Sequence, residues 1–244
     1  MIKASFRVLS LLTVLCMASA MPAWSNSSGP TWRDESSPDV RQCPAELANY
    51  TYFDTQVIRV VDGDTIKIGF KGKEYSIRFL SIDTPETHFM GKSQGYWGDT
   101  AAQAMAQMLQ PGDWIRVELD VEKCDKYQRI LGYVWKGNLN TNYAQVLSGM
   151  AVNYCIWPNM KYCAAFAQAV SQAMNQKKGI WSDPTLVIPY EWRRLERGSP
   201  HEKFVANLGS NEVYSPDFVD SIPIPNRIFF MRKSDIHAPY YFVR

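Results

Sequence analysis

The chain has 244 residues, 46% of them hydrophobic and 20% charged, an ordinary globular composition sufficient for one domain with a real core. Its formal charge is only +2, which excludes an overall basic field, so an anionic substrate must be drawn in by a local cluster. Beyond the N-terminus no apolar run reaches the roughly 18 residues that a membrane span needs.

Lys3 and Arg7 precede an apolar run from Val8 to Met17, and Ala18-Ser19-Ala20 closes it with small residues. This is the layout of a secretory signal peptide over residues 1–20, with an uncleaved anchor as the alternative. Cleavage after Ala20 leaves 26 − 2 = 24 basic and 24 acidic side chains. It also leaves four cysteines: Cys43, Cys124, Cys155 and Cys163. An even count in an exported chain suggests two disulfides with three possible pairings. Cys155 and Cys163 are close enough to staple one loop, which leaves Cys43 for Cys124. Zinc is the competing use, but there is no CxxC pair and His is scarce. The expectation is export to the periplasm or beyond, with no stable membrane association after cleavage, as a monomer.

Residues 21–54, rich in Ser, Pro and Asp near their start, read as a leader tethered by Cys43, with order beginning near Thr55. Gln56 to Val61 is a short β-rich run. Thr65 to Phe70 alternates, with Ile66, Ile68 and Phe70 on one face. After the turn at Lys71-Gly72-Lys73, Tyr75, Ile77 and Phe79 alternate again, leaving Arg78 on the other face. The pattern turns helical over Asp99 to Leu109 and stops at Pro111-Gly112. Trp114 to Leu119 and Ile130 to Trp135 read as two more strands. Thr141 to Leu147 reads as a helix with Gly149 just past its end, and Ala164 to Lys178 as a third helix. The order β-β-β-α-β-β-α-α suits an α+β fold built on a five-stranded, partly open Greek-key barrel, the OB-fold, over residues 55–182. Residues 183–244 follow no such pattern and read as an irregular C-terminal extension of unknown role.

Three stretches carry chemistry. In VVDGDTI, Asp62-Gly63 between β-rich runs is a turn signal, but Asp64 starts a strand, where Asp is a poor choice. In RFLSIDTPETH, Asp83, Thr84 and Glu86 leave the end of the third strand, and Arg78 lies on that strand opposite its apolar stripe. In CDKYQRILGYVW, Arg129 precedes the fifth strand. Asp64, Asp83 and the Thr84 carbonyl are hard oxygen donors suited to Ca²⁺ or Mg²⁺. Arginine forks match phosphate oxygens and keep their charge. Glu86, ionised near neutrality, is positioned by type to take a proton from water. Metal, two arginines and a carboxylate are the parts that phosphodiester hydrolysis needs.

DGDT, RFLSIDTPET and DKYQR, with GIW after the last helix, resemble in order and spacing the three signature segments of the staphylococcal nuclease (thermonuclease) family, over about residues 55 to 182. The resemblance implies one Ca²⁺ held by Asp64, Asp83 and the Thr84 carbonyl, with Asp62 supporting it. It implies Arg78 and Arg129 on the scissile phosphate, Glu86 as general base, and Tyr127 and Tyr154 lining the nucleotide pocket. It further implies cleavage of DNA and RNA to 3′-phosphate ends. Gln128 stands where the family usually has Gly, and Ile156 where a second pocket aromatic is common. The alternative function is a non-catalytic OB-fold module that binds nucleic acid, which would lack several of the five charged residues present here.

Overall fold

The computed structural model describes residues 43–244; the expected signal peptide and most of the expected leader lie outside the described residues. Order begins earlier than Thr55. A short 3-10 turn, Ala45–Asn49, buries Leu47 against the core and leads into β1 (Tyr52–Val60). Phe53, Thr55 and Val57 alternate inward along β1, the half-buried period of a strand with one face on the core. β2 (Thr65–Phe70) and β3 (Lys73–Phe79) form a hairpin. Lys71 and Gly72 between them both have positive φ, 48° and 74°, as the tight hairpin turn demands.

After β3, Ser81, also at positive φ, turns a corner, and its hydroxyl meets the Tyr133 hydroxyl at 2.9 Å. The chain then enters β4 (Ser81–Asp83), which belongs to a different sheet. α1 (Tyr96–Met108) follows, then β5 (Trp114–Glu118), β6 (Ile130–Lys136), β7 (Leu139–Asn140), α2 (Thr141–Leu147), β8 (Val152–Ile156) and α3 (Cys163–Asn175). β1 pairs antiparallel with β2 and β5, β2 with β3, and β5 with β6, while β3 pairs parallel with β6 and closes a five-stranded barrel. Its interior holds Ile66, Ile68, Ile77, Phe79, Val117 and Ile130, all buried. This is the α+β barrel with three helices that the periodicity predicts. α2 spans Thr141–Leu147 as expected, while α1 and α3 begin three and one residues before their expected positions and α3 ends at Asn175, the ends being the part of a helix that periodicity fixes least. Gly149, at φ 77°, does follow α2 in the left-handed conformation.

The extension departs from the irregular reading. It forms α4 (Pro189–Arg197) and four strands: β9 (Phe204–Asn207), β10 (Glu212–Tyr214), β11 (Arg227–Phe230) and β12 (Tyr241–Phe242). They continue the sheet that β4 and β8 begin, in the order β12-β10-β9-β11-β8-β4. The pattern hides them for two reasons. Two to four residues are too few to show a period. In β11, moreover, all four residues are buried, so nothing alternates.

The disulfides pair Cys43 with Cys124 and Cys155 with Cys163, as expected, with Cα–Cα separations of 6.3 and 6.0 Å. Among the described residues no helix is long and apolar enough to cross a membrane.

Candidate active site

The site forms where the β1–β2 turn meets the chain leaving β4. Asp62 Oδ1 accepts the Asp64 amide at 3.0 Å, closing the turn through a side chain. Gly63 is there for space: a Cβ on it would lie 2.8 Å from the Thr84 side chain. Its carbonyl accepts from Gln145 Nε2 at 2.8 Å, tying the turn to α2. Asp64 is thereby set beneath Thr84, whose amide and hydroxyl both donate to Asp64 Oδ2, at 2.9 and 3.0 Å. Asp83 is completely buried, and Asp64 and Thr84 nearly so.

Arg78 lies opposite Thr65 in the β2–β3 ladder. Its Nη1 donates to the carbonyls of Phe79 and Ile82 at 2.8 and 2.9 Å, pinning the guanidinium to the β3–β4 corner. Its Nη2 then bridges Asp83 Oδ1 at 2.8 Å and Asp64 Oδ2 at 3.2 Å. One nitrogen reaching both carboxylates places an oxygen of each around a single point. Glu86 sits just outside. Its amide donates to Gln94 Oε1 at 3.1 Å, and α1 packs so tightly on its carbonyl that a Cβ at Gly98 would overlap it.

The electrostatics follow from crowding four acids in a buried corner. Burial raises Asp62 well above its ordinary value, and the neighbouring Asp64 charge adds to this. Burial would raise Asp64 too, but Arg78, the Thr84 amide, Arg193 and Arg129 outweigh it and hold Asp64 low. Burial raises Asp83 against the pull of Arg193 and Arg78. Glu86 is pushed up to about 7 by burial, with Arg193 opposing and the Asp83 and Asp64 charges adding.

Arg193 is the residue the sequence reading missed. It comes from α4, and its Nη2 donates to both oxygens of Asp83, at 2.9 and 2.8 Å, while Nη1 pairs with Glu86. The contact spans 110 positions in sequence, and the local signal, three arginines in a short polar helix, marks nothing by itself. α4 starts with Pro189 at its first position, ends at Gly198 in the left-handed conformation, and is docked by aromatics. Tyr190 stacks on Tyr154 with ring centroids 5.2 Å apart, and Trp192 meets Phe89 edge-on.

The other expected residues lie at the rim. Arg129 is near enough to act on Asp64, but its Nε donates to Asp125 at 2.7 Å and its guanidinium faces the exposed Tyr127 ring at 5.5 Å. Gln128 takes a positive φ of 66°, the conformation that favours Gly. It is steadied by its side-chain oxygen, which accepts the Cys43 amide at 3.0 Å, so the Cys43–Cys124 disulfide and Gln128 together fix the Arg129 loop. Tyr154, on β8, is walled in by Tyr190 and Phe229 of the extension, with Lys203 Nζ 5.8 Å from its ring. No group of three or more His, Cys, Asp or Glu among the described residues is arranged to hold a metal ion. The candidate donor set is smaller: two carboxylates and a main-chain carbonyl.

A five-stranded barrel of this connectivity, with carboxylates and arginines at the ends of β1–β4, defines a nuclease-like OB-fold. The family model described as staphylococcal nuclease homologue matches residues 76–183. Thermonuclease of Staphylococcus hyicus is 36% identical over 139 residues, covering 57% of this chain and 82% of that protein. The chain belongs to the staphylococcal nuclease family. Endonuclease YhcR of Bacillus subtilis is also 36% identical, over 197 residues and 76% of this chain, but the match spans only 16% of that longer protein. Endonuclease YncB of the same organism is 33% identical over 126 residues, 51% of this chain and 59% of that protein.

Proposed function

We propose that the chain is an exported, calcium-dependent nuclease that hydrolyses the phosphodiester bonds of DNA and RNA without regard to the sugar, leaving 3′-phosphate ends. The observation that carries this reading is the convergence of Asp64, Asp83, Thr84, Glu86 and Arg78 on one corner of a nuclease-family barrel.

Asp64, Asp83 and the Thr84 carbonyl are the residues that would hold the calcium ion. The donors fit a hard cation, since all are oxygens and one arginine nitrogen already touches both carboxylates. When bound, calcium supplies fixed positive charge beside the phosphate. Asp62 holds the turn that aims Asp64 inward. Glu86 takes the proton of the attacking water at its carboxylate; held near neutrality by burial, it suits a base working close to pH 7. Arg78 and Arg129 set positive charge against the negative charge that builds on the phosphorus oxygens. The 5′-oxygen leaves and the 3′-phosphate remains. Tyr127, exposed, offers a ring face to bases, which every nucleotide provides, so neither sequence nor sugar is selected there; the Tyr154 ring is taken up by Tyr190 and Phe229 and serves as part of the pocket wall.

Export with removal of residues 1–20 is consistent with the two disulfides, which persist in oxidising compartments. Whether the protein stays in the periplasm or leaves the cell, fractionation decides. The enzymatic reading is tested by incubating the purified protein with single- and double-stranded DNA and with RNA, in calcium and in EDTA, and identifying the end groups. Digestion of all three in calcium alone, with 3′-phosphate products, is the expected result. Digestion of one sugar type, or 5′-phosphate ends, contradicts it.

A further inference from the structure

Arg78 and Arg193 meet on one atom. Asp83 Oδ1 accepts from Nη2 of Arg78 at 2.8 Å and from Nη2 of Arg193 at 2.9 Å. The two guanidinium groups are otherwise held very differently. Arg78 commits Nη1 to two main-chain carbonyls, and its Nη2 donates to Asp83 and is ion-paired with Asp64 as well. The carbonyls of Phe79 and Ile82 belong to the corner itself, so binding a substrate does not release them. Among the described residues Arg193 is bonded only to Asp83 and Glu86. Its Nε–H and one N–H on Nη1 are left over. It is nevertheless buried, its side chain 16% exposed.

Both partners of Arg193 have other work in the proposed reaction, Asp83 toward the cation and Glu86 toward water. Once they take it up, the Arg193 fork is freed within reach of the same centre. The Tyr190–Tyr154 stack holds the α4 backbone while the long side chain pivots. A guanidinium matches two phosphate oxygens as it matches two carboxylate oxygens. The need for it is electrostatic: Asp62, Asp64, Asp83 and Glu86 crowd the corner, against Arg78 and Arg193 within it and Arg129 at the rim.

We propose that Arg193, supplied by the C-terminal extension, is a substrate-binding residue of the active centre, giving its fork to a phosphate of the nucleic-acid strand when Asp83 and Glu86 are engaged. This rests on the nuclease reading above.

The test uses the full chain, with Arg193→Gln and Arg193→Lys beside the wild type. Each is titrated, in calcium and over a range of salt, with a fluorescein-labelled single-stranded octanucleotide carrying cleavage-resistant phosphorothioate linkages. kcat/KM is measured on the ordinary octanucleotide and calcium affinity by calorimetry. Arg193→Gln is expected to bind at least about tenfold more weakly, with the log K against log salt slope shallower by about 0.7 for the one lost contact. Its kcat/KM is expected to fall about a hundredfold. Arg193→Lys restores the slope but only part of the rate, because it lacks the fork. Unchanged affinity and slope in Arg193→Gln overturn the proposal. So does faster cleavage with tighter calcium binding, which would make Arg193 a plug over the carboxylates. If Arg193→Gln does not fold, Arg193→Lys decides: reduced kcat/KM at an unchanged slope supports the proposal, and an unchanged kcat/KM overturns it. A wild type that binds the probe but cuts nothing defeats the nuclease reading instead, and the slope difference still reports on Arg193.

Discussion

The barrel and the C-terminal extension stay folded by different means. The barrel strands run five to nine residues, close on one another without a free edge, and surround a core of their own. The extension's strands run two to four residues and have no sheet of their own. They begin on β8, where β11 pairs parallel with Cys155 and Ile156, and the cluster they build draws in Val152 and Ile180 from the nuclease-like region. The extension is therefore an addition to an existing sheet and depends on it for a template. The dependence runs the other way too, because without the extension β8 is paired only with β4 and has one open edge.

That mutual dependence is broken most severely by deleting residues 183–244. The loss strips Tyr154, Ile156, Val152 and Ile180 of their cover, and the melting temperature should drop by about 10 °C or more. An unchanged melting temperature would make the extension a passenger. Phe229→Ala sharpens the point at one residue. Phe229 is buried between Tyr154 and Tyr190, and its truncation should cost about 3 kcal/mol in urea unfolding. On the barrel side, Gly63→Ala drives a methyl into Thr84. About 1–3 kcal/mol should be lost, with nuclease activity falling too, since Thr84 holds Asp64.

A smaller effect separates the two regions by pH. Glu86 belongs to the barrel and its opposing charge Arg193 to the extension. Burial raises Glu86 from its ordinary 4.5 to about 7 in the folded protein. The folded state thus binds the proton more tightly than the unfolded chain. The stability that this proton confers is fully present below about 4.5 and is lost as pH rises to about 7. Calcium-free wild type should therefore lose stability relative to Glu86→Gln between pH 5 and pH 8, a difference read by urea denaturation. A constant difference would show that Glu86 titrates normally.

The same contrast explains what could be read in advance. The barrel announced itself because its strands are long enough to alternate, as Ile66, Ile68 and Phe70 do, and because Asp64, Asp83 and Glu86 sit at strand ends within recognisable segments. Asp62-Gly63 read as a turn and is one, though Gly63 is required by the closeness of Thr84, which no local pattern reports. β4 was hidden by the Ser81 corner, which looks like the continuation of a strand. In the extension the informative events are long-range: β11 finding β8, and Arg193 reaching Asp83. Contacts between residues so far apart leave no periodicity behind. Gln128, which stands where the family usually has Gly, keeps the positive φ of that position, held by the Cys43 amide and the adjacent disulfide.

The most direct measurement is digestion of single-stranded DNA by purified wild type and Glu86→Gln, each in calcium and in EDTA. Rapid digestion by wild type in calcium, none in EDTA, and a rate for Glu86→Gln lower by about 10³-fold or more is the result that hydrolysis with Glu86 as base predicts. DNA left intact by wild type in calcium, or cut equally well by Glu86→Gln, would contradict it.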